Sequence, residues 1–265
     1  MIKAGGRLLS EILGRLVNEL KPGVGTAQIE ELALRLIEEV GGSPAFKDYP
    51  MGDGILFPSA VCVSINDEVV HGGALPNRVI KSGDIVDLDI GMEWPVKSDL
   101  RRRLNAPLNP FSKNGGFFTD MCTTVPVGPV GAETKRLLRV TQECLNRAIK
   151  AAKPGNKIND IARAVQGYAE KHGFGVVRDL VGHGVGYLAH EQPDVFNFEI
   201  WEDSPENVIL EKGMVIAIEP MINAGDWRVK VARNGYTILT ADHSNSAHFE
   251  HTIAITDTGA EILTK

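Results

Sequence analysis

The sequence is poor in cysteine: Cys62, Cys122 and Cys144 are the only three in 265 residues. Their number is odd and none stand in a CxxC spacing, so neither a disulfide framework nor a structural zinc knuckle is available. They read as reduced thiols, as expected in the cytoplasm. Long apolar runs are missing too. No stretch approaches the ~20 residues of a membrane-spanning helix, so no membrane association is expected. A basic excess is also lacking. Lys and Arg number 28 against 34 Asp and Glu, for a formal net charge of −6. That balance argues against a sequence-specific nucleic-acid-binding domain, though not against a local basic patch. The opening stretch, MIKAGGRLLSEILGRLVNELKPG, has no apolar segment followed by a small-residue cleavage site. It has instead Leu8, Leu9, Ile12, Leu16 and Leu20 near helical period, which predicts an amphipathic helix. Hydrophobic residues make up 43% of the chain. That suffices for a full core without staples, and a single domain over 1–265 is expected.

What the chain does contain is an internal repeat. Lys21, Pro22, Gly23, Ile29 and Gly41 recur as Lys153, Pro154, Gly155, Ile161 and Gly173, each 132 positions later. Both copies predict a helix, Thr26 to Val40 and Ile158 to His172, with a polar start and a glycine stop. Further on, KSGDIVDLDIG (81–91) aligns with LEKGMVIAIEP (210–220), and FFTDMCTTVPVG (117–128) with AHFEHTIAIT (247–256), at an offset of 130. These read as buried strands. The alignment puts Asp89 on Glu219 and Asp120 on Glu250. The expected architecture is α/β (α+β): two helix-and-strand halves, about 1–130 and 131–265, around a pseudo-two-fold axis where the acids meet.

A lone acid in a strand is ordinarily an edge carboxylate. Four at matched positions call for another account, because an unpartnered buried carboxylate costs several kcal/mol or takes up a proton. A cation would relieve that cost. His183 lies between Gly182 and Gly184 in GHGVG. Such glycines allow positive φ or close approach, and beside four acids a neutral imidazole ligand is expected. Two divalent cations balance four carboxylates, whereas one leaves excess negative charge buried. An oxygen-rich set with one nitrogen suits Mn, Fe(II), Co or Zn.

The motifs NDEVVHG (66–72), DIVDLDIG (84–91), GHGVG with HEQP (182–193), IEPMIN (218–223) and FEHTIAIT (249–256) resemble the type I methionine aminopeptidases. Each is weak alone, but the combination is specific and spans nearly the whole chain. The resemblance implies the pita-bread fold, a curved antiparallel sheet in duplicated halves. It implies two metal ions held by Asp89, Asp120, His183, Glu219 and Glu250, with Asp120 and Glu250 bridging. It implies hydrolysis by metal-activated water, with Glu219 as proton shuttle. His190 would stabilise the oxyanion and His71 would contact the peptide beyond the cut bond. Cys62, Trp227, Tyr49 and Phe57 would form the methionine side-chain pocket. His172, His243, His248 and His251 are expected to be structural or solvated. The implied substrate is the initiator methionine of nascent polypeptides, and the chain is expected to act as a monomer.

Two departures from the family pattern stand out. Ala189 occupies a position where bacterial relatives commonly carry Phe, which predicts a wider pocket. Between Asp89 and Asp120 the chain carries an insert, roughly 94–117, with Lys97, Arg101, Arg102, Arg103 and Lys113 against Asp99. Its net charge of +4 leaves −10 on the remainder, a segregation that suits docking on the ribosome. Two alternatives have other signatures. A proline-specific peptidase of the same fold carries a separate N-terminal domain, and a non-catalytic binding relative loses metal ligands.

Overall fold

The computed structural model describes residues 1–96, 103–104 and 115–265. Most of the basic insert, with Lys97, Asp99, Arg101, Arg102 and Lys113, lies outside the described residues, and so does its expected docking role.

The first helix, α1 (Ile2–Glu19), buries Leu9, Ile12, Leu13 and Leu16 at helical spacing. It packs with α2 (Thr26–Glu39). At the start of α2 the Gly25 N–H donates to Gln28 Oε1 at 2.8 Å, which satisfies a donor outside the helix ladder. The second half repeats the pair as α3 (Ala132–Ala151) and α4 (Ile158–Lys171). There the Lys157 N–H donates to Asp160 Oδ2, also at 2.8 Å. Both α2 and α4 are followed, one residue past the cap, by a glycine in the left-handed region, Gly41 at φ +71° and Gly173 at φ +77°. The repeat in sequence is thus a repeat in structure.

Each helix pair covers the strands of its own half. In the first half these are β1 (Cys62–Ile65), β2 (Ile85–Trp94) and β3 (Phe117–Pro126). Strand β2 lies between the other two, antiparallel to both. Leu9, Leu16, Leu36 and Ile37 of the helices share a core with Val86, Leu88 and Ile90 of β2. Pairing of β2 with β3 is unbroken from Ile85↔Pro126 to Trp94↔Phe117, so the insert leaves from the tip of a hairpin. The second half holds β4 (Gly182–Gly184), β5 (Glu191–Val195), β6 (Val215–Ile218), β7 (Met221–Asn223), β8 (Ser246–His248) and β9 (His251–Ile255). Its core joins Leu137, Leu145 and Ile161 to Ile216, Ile218 and Ile253.

The two halves differ where the alignment predicts equivalent strands. Strands β2 and β3 run ten residues each. Their counterparts are cut in two, β6 from β7 at Glu219–Pro220 and β8 from β9 at Phe249–Glu250. Pro220 has no N–H to give to a ladder, and the Glu250 N–H turns to Cys122 O of the other half, 3.3 Å away. The register on either side of the break, Ile218↔His251 and Met221↔His248, puts Glu219 across from Glu250. In the first half Asp89 faces Cys122 and Asp120 faces Gly91, a shift of two residues. An even shift preserves which face a side chain points to, so all four acids still look the same way.

Two threonines join the halves. The Thr252 hydroxyl accepts from the Asp120 N–H at 3.0 Å and donates to the Asp120 carbonyl at 2.7 Å. The Thr124 hydroxyl does the same to His248, at 2.9 and 2.8 Å. Among the described residues no helix is long and apolar enough to cross a membrane.

Candidate metal centre

All five expected ligands converge at the junction of the halves. Asp89 and Asp120 rise from β2 and β3, Glu219 and Glu250 stand at the two strand breaks, and His183 is carried by β4. The glycines beside His183 serve close approach, not positive φ. A Cβ on Gly182 would lie 2.5 Å from the Ala217 carbonyl oxygen, and one on Gly184 2.3 Å from that of Gln192. His183 Nδ1 is 2.9 Å from the Gly184 carbonyl. A carbonyl only accepts, so Nδ1 carries the proton and Nε2 keeps its lone pair. That Nε2 is 3.4 Å from Glu219 Oε1 and 4.0 Å from Asp120 Oδ2.

The donor atoms form overlapping sets. Asp89, Asp120 and Glu250 bring oxygens within 4.8 Å of one another, and His183, Glu219 and Glu250 do likewise. Glu250 belongs to both. Asp89 Oδ1, Asp120 Oδ1 and Glu250 Oε1 are buried without a hydrogen-bond partner. Burial, with neighbouring acids adding to it, pushes Asp120 and Glu250 well above the usual carboxylate range. Burial also lifts Asp89 to about 7, assisted by Asp87 and Glu219 and opposed by His248. Orphaned, charge-averse oxygens clustered in this way fit a divalent cation, which would replace the protons they otherwise retain.

A pH dependence follows. The Asp89 pKa is raised on folding, so its stabilising effect is complete below its unfolded value near 3.8 and is lost as pH rises through about 7. Asp120 and Glu250 act in the same sense. Cation-free protein should lose this contribution between pH 4 and 8, and a bound cation should restore it. His71 and His190, whose pKa values burial lowers, act oppositely, but with or without the cation. The rise in Tm on adding Mn2+ should therefore be larger at pH 8 than at pH 5. Equal rises at the two pH values would contradict the assignment.

Above the acids lies a cavity of about 390 Å³. Tyr49, Phe57 and Cys62 line it, together with Phe46 and Met51. His71 and His190 also face it. His71 sits at φ +59°, a backbone state unusual for a non-glycine residue. His190 is exposed as a residue, yet desolvation of its ring, with His183 and His71 alongside, takes its pKa down to about 3, so the ring is neutral.

Trp227 is a correction. It does not line the cavity. It is partly exposed and packs against two guanidinium groups, with Arg178 5.0 Å and Arg228 4.9 Å from its ring centroid. Those cation–π contacts engage the ring outside the pocket. Ala189 is buried in a cluster with Phe118 and Val185, against which the cavity residue Tyr49 also packs.

His248 is structural rather than solvated. It is only 2% exposed and stands between two acids, with Nδ1 3.4 Å from Asp87 Oδ2 and Nε2 3.5 Å from Glu219 Oε2. Burial works to lower its pKa, yet Asp87 and Glu219 outweigh it and raise the imidazole well above its ordinary value. Asp87 is a fifth carboxylate at this junction that a count of four omits, and the His248 imidazolium supplies its counter-charge. Strand parity was the available signal: Asp87 and Asp89, like His248 and Glu250, are two residues apart and share a face. His251 turns away, with Nδ1 3.0 Å from Thr264 Oγ1.

With this geometry in view, the comparisons with known proteins agree. The model of metallopeptidase family M24 matches residues 1–105 and 111–257, and the five unmatched residues between fall in the insert. Methionine aminopeptidase 1 of Bacillus subtilis is 39% identical over 266 residues, covering 100% of this chain and 95% of that one. The crystal structure of a Thermotoga maritima methionine aminopeptidase has a TM-score of 0.85 and 41% identity, covering 100% and 95%. A Pyrococcus furiosus prolidase shares the fold with a TM-score of 0.71 at 19% identity, and this chain spans 62% of its length. The duplicated halves are thus those of the pita-bread fold, and the chain belongs to metallopeptidase family M24, among its methionine aminopeptidases.

Proposed function

We propose that this protein hydrolyses the bond after an N-terminal methionine of newly made polypeptides, using two divalent cations. The observation that carries this reading is the cluster of orphaned carboxylate oxygens at the base of an apolar-walled cavity with two neutral histidines at its side. Asp89 would hold one cation and His183 with Glu219 the other, with Asp120 and Glu250 shared between them. Mn, Fe(II), Co or Zn suits these donors. Bound there, the cations would supply Lewis-acid activation of a water and of the scissile carbonyl.

The chain's own residues do the rest. Glu219, only partly buried and reached by His183 at one oxygen and His248 at the other, takes the proton from the attacking water and passes it to the leaving amine. His190 donates to the carbonyl oxygen as charge develops there. His71 orients the peptide beyond the cut bond. The wall of Phe46, Tyr49, Met51 and Phe57 excludes water and accommodates an unbranched thioether.

The deciding assay compares Met-Ala-Ser with Met-Leu-Ser and an Xaa-Pro peptide. An amine held at the cations would leave only a short reach to the next side chain, which favours a small residue there. Met-Ala-Ser should exceed Met-Leu-Ser in kcat/KM by about tenfold or more, and the Xaa-Pro peptide should be left intact. Preferred cleavage of Xaa-Pro would overturn the methionine reading.

A further inference from the structure

Tyr49 reaches the cavity from the segment between α2 and β1. Its hydroxyl is 3.0 Å from His190 Nδ1, and the two rings meet edge-on at 5.0 Å between centroids. A neutral imidazole has one N–H donor and one lone-pair acceptor. The phenol hydrogen has no other acceptor among the described residues. If Nδ1–H donated to the phenol oxygen, that hydrogen would have only solvent to turn to at this exposed contact. If the phenol donates to Nδ1, both groups are satisfied and the ring proton sits on Nε2.

The neighbouring ring makes the consequence specific. His183 and His190 lie 4.3 Å apart between centroids. The Gly184 carbonyl sets His183 with its proton on Nδ1 and a bare Nε2, as a cation ligand requires. A hydrogen bond from Tyr49 sets His190 the other way, with an Nε2–H to donate. Held in this way, the two adjacent imidazoles would carry opposite tautomers through two different outer partners.

We propose that Tyr49 is a positioning residue whose hydroxyl donates to His190 Nδ1 and holds His190 in the Nε2–H tautomer that can donate to the scissile carbonyl. This rests on the role given to His190 above. Tyr49→Phe removes the hydroxyl and keeps the ring contact. The test is long-range proton–nitrogen correlation spectroscopy on zinc-loaded protein labelled with nitrogen-15 at histidine, with His190→Ala to assign the signal. In the parent, Nε2 should be the protonated nitrogen. In Tyr49→Phe the signal should become a mixture of tautomers. The kcat for Met-Ala-Ser should fall ~3- to 10-fold, the ratio that a single hydrogen bond sets between two states, with KM little changed. In the His190→Ala background the same substitution should cause no further loss. An Nδ1–H tautomer in the parent, an unchanged tautomer in Tyr49→Phe, or an additive loss in the double variant would overturn the proposal. If His190→Ala alone leaves kcat intact, the role of His190 falls, while the spectra still decide whether Tyr49 sets its tautomer.

Discussion

Asp120→Ala should lower kcat for Met-Ala-Ser by about 10³-fold or more, the scale set by loss of metal-assisted water activation. Asp120 is 4% exposed and one of its oxygens has no hydrogen-bond partner, so the carboxylate is held for something other than the fold. Its backbone is pinned independently, since Thr252 bonds both its N–H and its carbonyl. Removing the side chain should therefore leave β3 in place. The stability effect should run the other way from the activity effect. Without cations, the buried carboxylate is a cost, and its removal should raise the Tm of metal-stripped protein. Asp120→Asn, which keeps the shape and deletes the charge, should show the same pair of signs. Glu250, common to both donor sets, should behave likewise. Near-normal turnover by metal-stripped Asp120→Ala protein would sink the metal centre as the source of activity.

That centre was legible because duplication makes chemistry visible in sequence. One Asp in a strand is ambiguous, but Asp89 over Glu219 and Asp120 over Glu250 occupy equivalent places in two copies of one fold. The helices followed for the same reason, each with its glycine stop. What the offset could not convey was pairing. Glu219 and Glu250 sit at strand breaks because Pro220 lacks an N–H and Glu250 sends its own across to Cys122. Neither fact follows from a one-dimensional alignment. His248 was within reach of parity, since it shares a strand face with Glu250, but its role depends on Asp87 arriving from the other half. Trp227 lay beyond reach. Its position a few residues after Glu219 left open whether the turn folds over the cavity or toward solvent, and the flanking arginines select the latter.

His190→Ala should cut kcat by about 10²- to 10³-fold and leave KM nearly unchanged, the signature of a donor that acts on the transition state more than on the ground state. The ring lines the cavity beside His183, close to where the carbonyl must approach the acids. Desolvation of the ring and its two histidine neighbours lower its pKa to about 3 although the residue is exposed, so the ring is neutral at neutral pH. A neutral donor makes a modest hydrogen bond to a ground-state carbonyl and a much stronger one to an oxyanion. That difference is what should appear in kcat. The low pKa also removes His190 as a source of any acid limb between pH 5 and 7, so the shape of the pH–rate profile should persist in His190→Gln while its height drops. His71 provides the contrast. It lines the same cavity, and in its proposed role of orienting the peptide beyond the cut bond its alanine variant should raise KM as well as lower kcat, because positioning is lost before chemistry begins. A pure KM effect at His190, or an acid limb that vanishes with His190→Gln, would assign the ring to binding or proton transfer and leave the oxyanion without its donor.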